Sequence, residues 1–377
     1  MNIEPFTRRR AELAARMQSG IAVIATAPER ARNRDTHYPY RHDSYFYYLT
    51  GFAEPEAVLV LVAGAEPKSL LFCRSKDAER EIWDGYRHGP DAARDAYGFD
   101  AAYPVAELDS RLTELIANQP TLFYAMGTDA EWDARMMTAL NNVRAQVRAG
   151  VHAPGEIRDI YAMLDDMRLI KDSHEIDVMR RAAAISCAAH ARAMRATRPG
   201  RHEYEIEAEL LHEFRRAGSQ FPAYGSIVAS GPNACVLHYV SNERRMADGE
   251  LLLIDAGCEL DGYASDITRT FPVNGVFSGA QRDIYQLVLD AQEAAMKHLV
   301  PGASFIDYHD AAVEVLARGM VELGLLQGSF ESVMESGSYK RFYMHRTGHW
   351  LGMDVHDAGE YKRAETWRKL EPGMVLT

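Results

Sequence analysis

Two carboxylates on a strand–turn–strand segment are the first residues of this sequence whose spacing could do chemistry. The apolar stretch 251–254 is typical of a strand covered on both faces, and it leads directly into Asp255. The dipeptide 261–262, Asp-Gly, then predicts a hairpin turn. In that register Asp255 faces Thr268, and Asp266 shares the face of Thr268 because side chains alternate along a strand. Asp255 and Asp266 are therefore diagonal neighbours, about 7–8 Å apart at the backbone.

The aspartate pair has three interpretations. Two converging carboxylates behind an apolar strand are unfavourable unless something neutralises them. They could share a proton, as in an acid protease pair, or they could bind a metal ion. Alternatively, Asp255 caps a turn and Asp266 pairs with Arg269. The spacing alone leaves all three open, and a third ligand would favour the metal.

Histidines supply the candidate third ligand. His345, His349 and His356 are three of the 14 histidines, and they lie within one short stretch. Two glycines in that stretch argue against a helical H-x-x-x-H zinc pair, and there is no H-E-x-x-H motif. A three-histidine zinc site like that of a hydratase is an alternative, but it leaves the aspartates unexplained. His238 follows the loop 230–233, and by itself it is typical of a hydrogen-bonded loop residue.

A repeated pattern of helices must position these residues. A capping box at Asp172 and Glu175 predicts the start of a long helix, which a Pro-Gly pair ends, and a second helix follows over 203–217. The same order recurs from a capping box at Ser278 to a helix that ends at Gly324. Strands are expected after each pair of helices. The pattern predicts two α+β halves related by an internal pseudo-two-fold repeat, with a site between them.

The first 165 residues alternate short strands and helices, which predicts an α/β domain. Apolar and aromatic runs predict strands at 20–27, 44–49, 57–63, 69–73 and 121–126. A helix is expected after the last of these, through Asn141. The domain holds neither G-x-G-x-x-G nor G-K-[ST], so no phosphate loop is predicted.

The bulk composition is that of a soluble globular protein of two domains. The chain has 377 residues, of which 47% are hydrophobic and 25% charged. Its net charge of -12 argues against nucleic acid or a membrane surface as the main partner. The four cysteines form no C-x-x-C pair and are expected to be buried, reduced thiols. Residues 1–17 lack the apolar region of a signal peptide, and the longest apolar run, 57–65, is shorter than the roughly 20 residues of a membrane span. We therefore expect a cytoplasmic protein.

Taken together, five motifs resemble aminopeptidase P, the Xaa-Pro aminopeptidases of the pita-bread metallopeptidases. They are LIDAG at 253–257, GYASDITRTF at 262–271, HRTGHWLG at 345–352, SYFYYLTGF at 44–52 and EPEA at 54–57. The resemblance covers nearly the whole chain. It implies an N-terminal accessory α/β domain over 1–165, followed by an α+β pita-bread catalytic domain with an internal pseudo-two-fold repeat over 166–377.

The resemblance also implies an activity and a cofactor. The expected reaction is metal-dependent removal of the N-terminal residue from peptides with proline in second position. Two divalent metal ions, most often Mn²⁺, would activate a hydroxide for this hydrolysis. A ligand set of carboxylate oxygens and one imidazole favours Mn²⁺, whereas a zinc site with soft ligands would be built differently. A homo-oligomer, dimer or tetramer, is expected on the same grounds.

The family pattern assigns roles to residues of this chain. Three of the five expected protein ligands map here: Asp255 on one metal, Asp266 bridging both, and His349 on the other. His238 and His356 match positions that contact substrate and support the tetrahedral intermediate. An Xaa-Pro bond has no amide N–H, so such a site must hold the bond by its shape and by donors to its carbonyl.

Two further residues match the family less directly. His345 matches a histidine close to the catalytic set. Trp83 matches a residue that reaches the substrate site of a neighbouring subunit in tetramers.

The family pattern continues past the last residue, Thr377. Residues 371–377 resemble the lead-in to a segment that bears two glutamate ligands. We therefore expect that these residues alone bind two metal ions poorly, show little activity and have reduced stability because sheet strands are lacking.

Two alternative functions remain open. A prolidase on the same fold would cleave only Xaa-Pro dipeptides. A non-catalytic pita-bread binding module would keep the fold without the metals, although retention of the three candidate ligands argues against it. A methionine aminopeptidase-like activity fits the N-terminal motifs less well.

Overall fold

Six strands pair into one mixed sheet in the part of the chain that ends at Asp165. The strands of the computed structural model, which describes residues 2–377, are β1 (Gly20–Ala25), β2 (Val58–Ala63), β3 (Lys68–Cys73), β4 (Ala101–Pro104), β5 (Thr121–Phe123) and β6 (Glu156–Arg158). Their order is β4-β3-β2-β1-β5-β6, with antiparallel pairing of β1 to β2 and β2 to β3 and parallel pairing elsewhere. The predicted strands at 20–27, 57–63, 69–73 and 121–126 are confirmed as β1, β2, β3 and β5.

Helices accompany this sheet throughout the first unit. They are α1 (Glu4–Met17), α2 (Ser44–Thr50), α3 (Ala78–Asp84), α4 (Gly89–Tyr97), α5 (Leu108–Ile116) and α6 (Ala130–Arg144). One face of the sheet packs on α5 and α6 through a core that includes Val60, Phe72, Leu112 and Leu140. A further helix, α7 (Tyr161–Leu169), runs across the division at Asp165.

The strand predicted at 44–49 is wrong, because this aromatic segment forms helix α2. The Asp43 side chain caps the helix by accepting a hydrogen bond from the backbone N–H of Phe46 at 2.8 Å. Gly51 ends it in the left-handed conformation, with φ at 65°. Both ends of the helix are therefore specified locally, and this outweighs the strand preference of the aromatic residues.

The second unit, Asp166–Thr377, contains short strands and five α-helices that lie wholly within it. The helices are α8 (Ser173–Ala196), α9 (Glu203–Arg216), α10 (Gly279–Met296), α11 (Asp307–Glu322) and α12 (Phe330–Ser336). The strands are β7 (Phe221–Pro222), β8 (Ile227–Ser230), β9 (Leu251–Asp255), β10 (Cys258–Leu260), β11 (Tyr263–Ala264), β12 (Thr268–Pro272), β13 (Lys362–Arg363) and β14 (Thr366–Trp367).

These elements form two halves, each built around a pair of helices. The capping boxes predicted at Asp172 and Ser278 are both confirmed, at the starts of α8 and α10. In the first half α8 and α9 pack on β8 and β9, within a core that includes Phe214 and Ile254. In the second half α10 and α11 pack around Trp350. The strands there are short: β13 pairs only with β14, and isolated bridges join other residues.

The predicted register of the carboxylate hairpin is confirmed. In the sheet of order β12-β9-β8, Thr268 pairs with Asp255. Beyond this pair the segment continues as β10 and β11, which belong to a second sheet with β7. At Gly257 the two sides of the hairpin lie very close together, since a Cβ there would lie 1.6 Å from the carbonyl oxygen of Ser265. Only glycine fits this position, so the hairpin needs it to keep the two aspartates in register.

The expectation of four buried cysteines is wrong for two of them. Cys73 and Cys258 are buried, but Cys187 and Cys235 are exposed. Cys187 lies on the outward face of α8, and the apolar neighbours of Cys235 are themselves exposed, so an apolar stretch did not mean burial there. No helix within residues 2–377 is long and apolar enough to cross a membrane.

Candidate active site

Asp255 and Asp266 meet through a tyrosine that the sequence patterns did not single out. Asp255 is the last residue of β9, and Asp266 lies between β11 and β12. The hydroxyl of Tyr224 lies 2.5 Å from Oδ1 of Asp255 and 2.9 Å from Oδ1 of Asp266. A single hydroxyl proton can be donated to only one of them at a time. The two carboxylates are therefore held close together around one shared donor.

The two aspartates differ in their acidity. Burial raises the pKa of Asp255, and the charge of Asp266 adds to this, while the hydrogen bond from Tyr224 opposes it. Burial would also raise the pKa of Asp266, but hydrogen bonds from His349 and Tyr224 outweigh it and lower that pKa. Burial and the two carboxylates raise the pKa of Tyr224, so it remains a neutral donor.

His349 is directed at Asp266 by its own backbone surroundings. Its Nε2 lies 3.2 Å from Oδ2 of Asp266, and its Nδ1 lies 2.9 Å from the carbonyl oxygen of Trp350. The fully buried Trp350 packs against Phe305, with ring centroids 4.7 Å apart. Burial would lower the pKa of His349, but the hydrogen bond to Asp266 raises it overall. The carbonyl partner of Nδ1 leaves Nε2 facing the carboxylates.

The alternative pairing of Asp266 with Arg269 is not what the structure contains. Arg269 donates from Nη1 to the carbonyl oxygen of Thr268 at 2.7 Å, whereas Asp266 bonds to His349 and Tyr224. Within residues 2–377, no group of three or more His, Cys, Asp or Glu side chains is arranged to enclose a metal ion as it stands. His349 contacts one aspartate, and the Tyr224 hydroxyl contacts both.

His356 and His238 lie beside this group. The rings of His356 and His349 contact each other edge to face, with centroids 4.2 Å apart. Burial and the neighbouring charge of His349 lower the pKa of His356. His238 is exposed and lies close enough to Asp255 and His356 to influence the pKa of each. The structure thus places these two histidines near the aspartate pair, and the roles expected for them stay predictions.

His345 and Trp83 have other surroundings. The Nδ1 of His345 lies 2.7 Å from the carbonyl oxygen of Arg346, and its ring contacts Tyr343. The described contacts of His345 do not include the aspartate pair. Trp83 lies on α3 in the first unit, with its side chain 80% exposed. The roles expected for these two residues stay predictions.

A buried ion cluster supports the segment that carries His356. Arg168 donates from Nη2 to Asp354 and to Asp357, each at 2.7 Å, and the Nζ of Lys171 lies 2.7 Å from the other oxygen of Asp357. The side chains of Arg168, Lys171 and Asp357 are each 1% exposed. His356 therefore precedes a residue whose side chain is fixed by two buried cations. The partners are far apart in the chain, and no spacing in the sequence links them.

The sequence patterns also missed His309 on α11. Its Nδ1 lies 2.9 Å from the hydroxyl of Thr347 and 3.2 Å from the backbone nitrogen of that residue. Burial lowers the pKa of His309, so it is a neutral acceptor for the Thr347 N–H. This contact ties the loop before His349 to helix α11.

Comparisons with known proteins cover both units. Residues 177–377 match the family model described as Metallopeptidase family M24, and residues 6–124 match that of the Aminopeptidase P N-terminal domain. The chain is 45% identical over 377 residues to the Xaa-Pro aminopeptidase of Escherichia coli K12, covering 99% of this chain and 85% of the relative. It is also 32% identical to the human Xaa-Pro aminopeptidase 3, over 96% of this chain and 72% of that protein.

Solved structures agree with these relationships. The aminopeptidase PepP of Pseudomonas aeruginosa has a TM-score of 0.98 at 50% identity, covering all of this chain and 86% of that one. Zinc-substituted aminopeptidase P of E. coli in complex with product has a TM-score of 0.97 at 44% identity, over 100% and 86% of the two chains. The predicted fold, an α/β domain followed by an α+β pita-bread domain, is confirmed.

Proposed function

The chain belongs to metallopeptidase family M24, in its aminopeptidase P group, and from this we propose that it removes the N-terminal residue of peptides whose second residue is proline. It is thus a metal-dependent exopeptidase. The observation that carries the proposal is the joining of Asp255 and Asp266 through Tyr224, with His349 on Asp266, in a chain similar to Xaa-Pro aminopeptidases over nearly its whole length.

We further propose that Asp255, Asp266 and His349 are metal ligands. Two carboxylates and one imidazole are a donor set that suits Mn²⁺ and similar ions. Ligands about 2.1 Å from a common ion lie about 3 Å apart, and Nε2 of His349 is 3.2 Å from Oδ2 of Asp266. When bound, two divalent ions, which we propose to be Mn²⁺, would supply a hydroxide nucleophile at neutral pH and polarise the scissile carbonyl.

The remaining residues would hold the peptide. A neutral His356 can donate one N–H to the scissile carbonyl or to the oxyanion that forms from it, and its lowered pKa favours the neutral form. His238, which is exposed and close enough to Asp255 to influence its pKa, can provide a second donor. These donors suit a substrate whose Xaa-Pro bond lacks an N–H. We propose that His345, which belongs to the same stretch of chain as His349 and His356, supports that stretch.

The proposal extends to assembly and location. Ile82 and Trp83 are each 80% exposed, and Tyr86 nearby is 65% exposed, so the first unit presents an apolar surface around α3. This supports a homo-oligomer, dimer or tetramer, in which Trp83 reaches a neighbouring subunit's site. Sedimentation of the wild type and of the Trp83→Ala variant measures the oligomeric state of each. A monomeric wild type would contradict the proposal. A cytoplasmic location stays a prediction.

The test of the activity uses peptide length to separate two enzymes. Incubated with Mn²⁺, the purified full-length protein should release the first residue of an Xaa-Pro-Yaa tripeptide. A matched Xaa-Ala-Yaa peptide should stay intact, because the site is expected to require proline. A protein that cleaves Xaa-Pro dipeptides alone would be a prolidase. Asp266→Asn should abolish both turnover and metal retention, and a variant that loses neither would contradict the ligand assignment.

A further inference from the structure

Glu203 is a fully buried carboxylate whose hydrogen-bond partners all lie in the segment from Ser230 to Arg244. Its Oε1 accepts hydrogen bonds from the backbone N–H and the hydroxyl of Ser230, both at 2.7 Å. Its Oε2 accepts from the hydroxyl of Tyr239 at 2.7 Å and from the backbone N–H of Arg244 at 2.9 Å. The amide of Asn233 contacts both oxygens, at 3.3 and 3.5 Å.

The two oxygens of Glu203 hold opposite ends of this segment, which we term the His238 loop (230–244). Oε1 accepts hydrogen bonds from the beginning of the loop, and Oε2 accepts them from its end. Tyr239, the residue next to His238, is bonded directly to Oε2. One side chain at the start of α9 therefore spans the loop and reaches the immediate neighbour of His238.

A second buried side chain fixes only the base of the His238 loop. Asn242 accepts from the backbone N–H of Val228 at 3.0 Å and donates to the carbonyl of Ser226 at 2.8 Å. Both partners belong to β8 or the residue before it, not to the portion of the loop around His238. Glu203 is thus the buried group that contacts the residue adjacent to His238.

Within residues 2–377, Glu203 is held by hydrogen bonds and forms no ion pair, although its charge acts on the nearby Arg244. The guanidinium of Arg244 forms a two-point pair with Glu250, with both distances 2.6 Å. Burial would raise the pKa of Glu203, but the hydrogen bonds from Ser230, Tyr239 and Arg244 lower it. An ionised carboxylate only accepts, which matches a pocket in which every partner donates.

We propose that Glu203 is a positioning residue that sets the His238 loop so that His238 faces the aspartate pair. This rests on the role proposed for His238 in the reaction. Glutamine at position 203 has nearly the same volume, but its NH₂ group would face donors. It could therefore hold one end of the loop and not the other. Glu203→Gln should loosen the loop without emptying the core.

The first test measures the loop itself and does not depend on activity. Amide hydrogen exchange of a peptide spanning 234–241 should be about tenfold faster in Glu203→Gln than in the wild type, with α10 unchanged. Tyr239→Phe, which removes one hydrogen bond, should have a smaller effect in the same direction. If Glu203→Gln folds poorly, the Tyr239→Phe variant still tests the proposal. Unchanged exchange in both variants would overturn the proposal.

The second test asks whether Glu203 acts through His238. Glu203→Gln should lower kcat/KM for an Xaa-Pro-Yaa peptide by about tenfold. In a His238→Ala background the same change should have little further effect, because the positioned group is already absent. An equal loss in both backgrounds would mean a merely structural role and would overturn the proposal.

A matched control separates loop positioning from loss of a buried carboxylate. Glu175 is 1% exposed at the start of α8, and its side chain accepts from Tyr263 and from the Asp172 N–H, each at 3.0 Å. Glu175→Gln should leave hydrogen exchange in the His238 loop unchanged. Failure of the wild type to cleave any Xaa-Pro peptide would refute the proposed function, whereas the exchange experiment would still decide the structural part of this inference.

Discussion

The two segments that bring histidines to the aspartate pair are held by opposite kinds of chemistry. The His238 loop depends on hydroxyl, amide and backbone donors gathered around the single carboxylate of Glu203. The segment that carries His356 depends on Arg168 and Lys171, two buried cations paired with Asp357.

Because the two supports differ, the two segments should respond differently to substitution of a supporting residue. Hydrogen bonds to one carboxylate can be lost in part, and the loop can loosen gradually. A buried ion pair cannot lose one partner without leaving an uncompensated charge in a region of low polarity. Both histidines are exposed, but His356 should be held more rigidly than His238 because of its ionic support, and that support should be less tolerant of substitution.

The largest effect should follow from breaking the ionic support. Asp357→Asn leaves Arg168 and Lys171 without their shared counter-charge, and the free energy of unfolding should fall by about 3–5 kcal/mol. Denaturation followed by tryptophan fluorescence measures it. Asp354→Asn is the matched control, because Asp354 bonds to the same Arg168 but its side chain is 43% exposed. Equal losses in the two variants would show that burial is not the deciding factor.

A smaller effect should follow from breaking the neutral support at the base of the His238 loop. Asn242→Ala leaves the Val228 N–H and the Ser226 carbonyl unpaired, so the unfolding free energy should fall by about 1–3 kcal/mol. Asn242 has φ at 50°, a conformation that alanine tolerates less well. Asn242→Gly, which relieves that strain and still lacks the hydrogen bonds, separates the two contributions. A loss as large as that of Asp357→Asn would contradict the comparison.

A pH titration of protein stability tests the carboxylate support that Glu203 gives the His238 loop. The folded state lowers its pKa below the ordinary value of 4.5, so its stabilising contribution is complete above that value and is lost as the pH falls through the folded pKa. The wild type should therefore be more stable than Glu203→Gln at pH 7, and the difference should narrow below about pH 4.5. Parallel stability curves down to acid denaturation would disprove this.

The smallest effect should come from an ion pair outside the core. Arg318 and Glu314 are 2.9 Å apart on α11, with side chains 50% and 56% exposed. Glu314→Gln should change the unfolding free energy by only about 0.3–0.5 kcal/mol, and salt should reduce that further. If the unfolding free energy fell as much as in Asp357→Asn, burial would not explain why the ion pairs of Asp357 are so stabilising.

The sequence predicted local features of the fold and site well. The hairpin register at Asp255 and Thr268 followed from side-chain alternation and one turn signal. The capping boxes at Asp172 and Ser278 followed from residues three apart. Each of these depends on neighbours in the chain, and such signals can be read without knowing the tertiary structure.

The supports of the site could not be predicted in this way. Arg168 and Asp357 are 189 residues apart, and nothing in either local sequence marks the pair. Glu203 was visible only as the beginning of a predicted helix, and no pattern singled out Tyr224. The wrong strand at 44–49 has a different cause: the caps at Asp43 and Gly51 are local signals, but the prediction followed the strand preference of the aromatic residues between them. Long-range contacts determine which polar residues are buried, and they leave little trace in spacing.

The exposed thiol of Cys235 makes the His238 loop accessible to spectroscopy. Cys187, on the long helix α8, is the other exposed cysteine, whereas Cys73 and Cys258 are buried. A fluorescent dye coupled to Cys235 would travel with the loop, and one coupled to Cys187 would remain with the helix. Energy transfer between the two dyes would then follow, in real time, how the loop responds when a peptide enters.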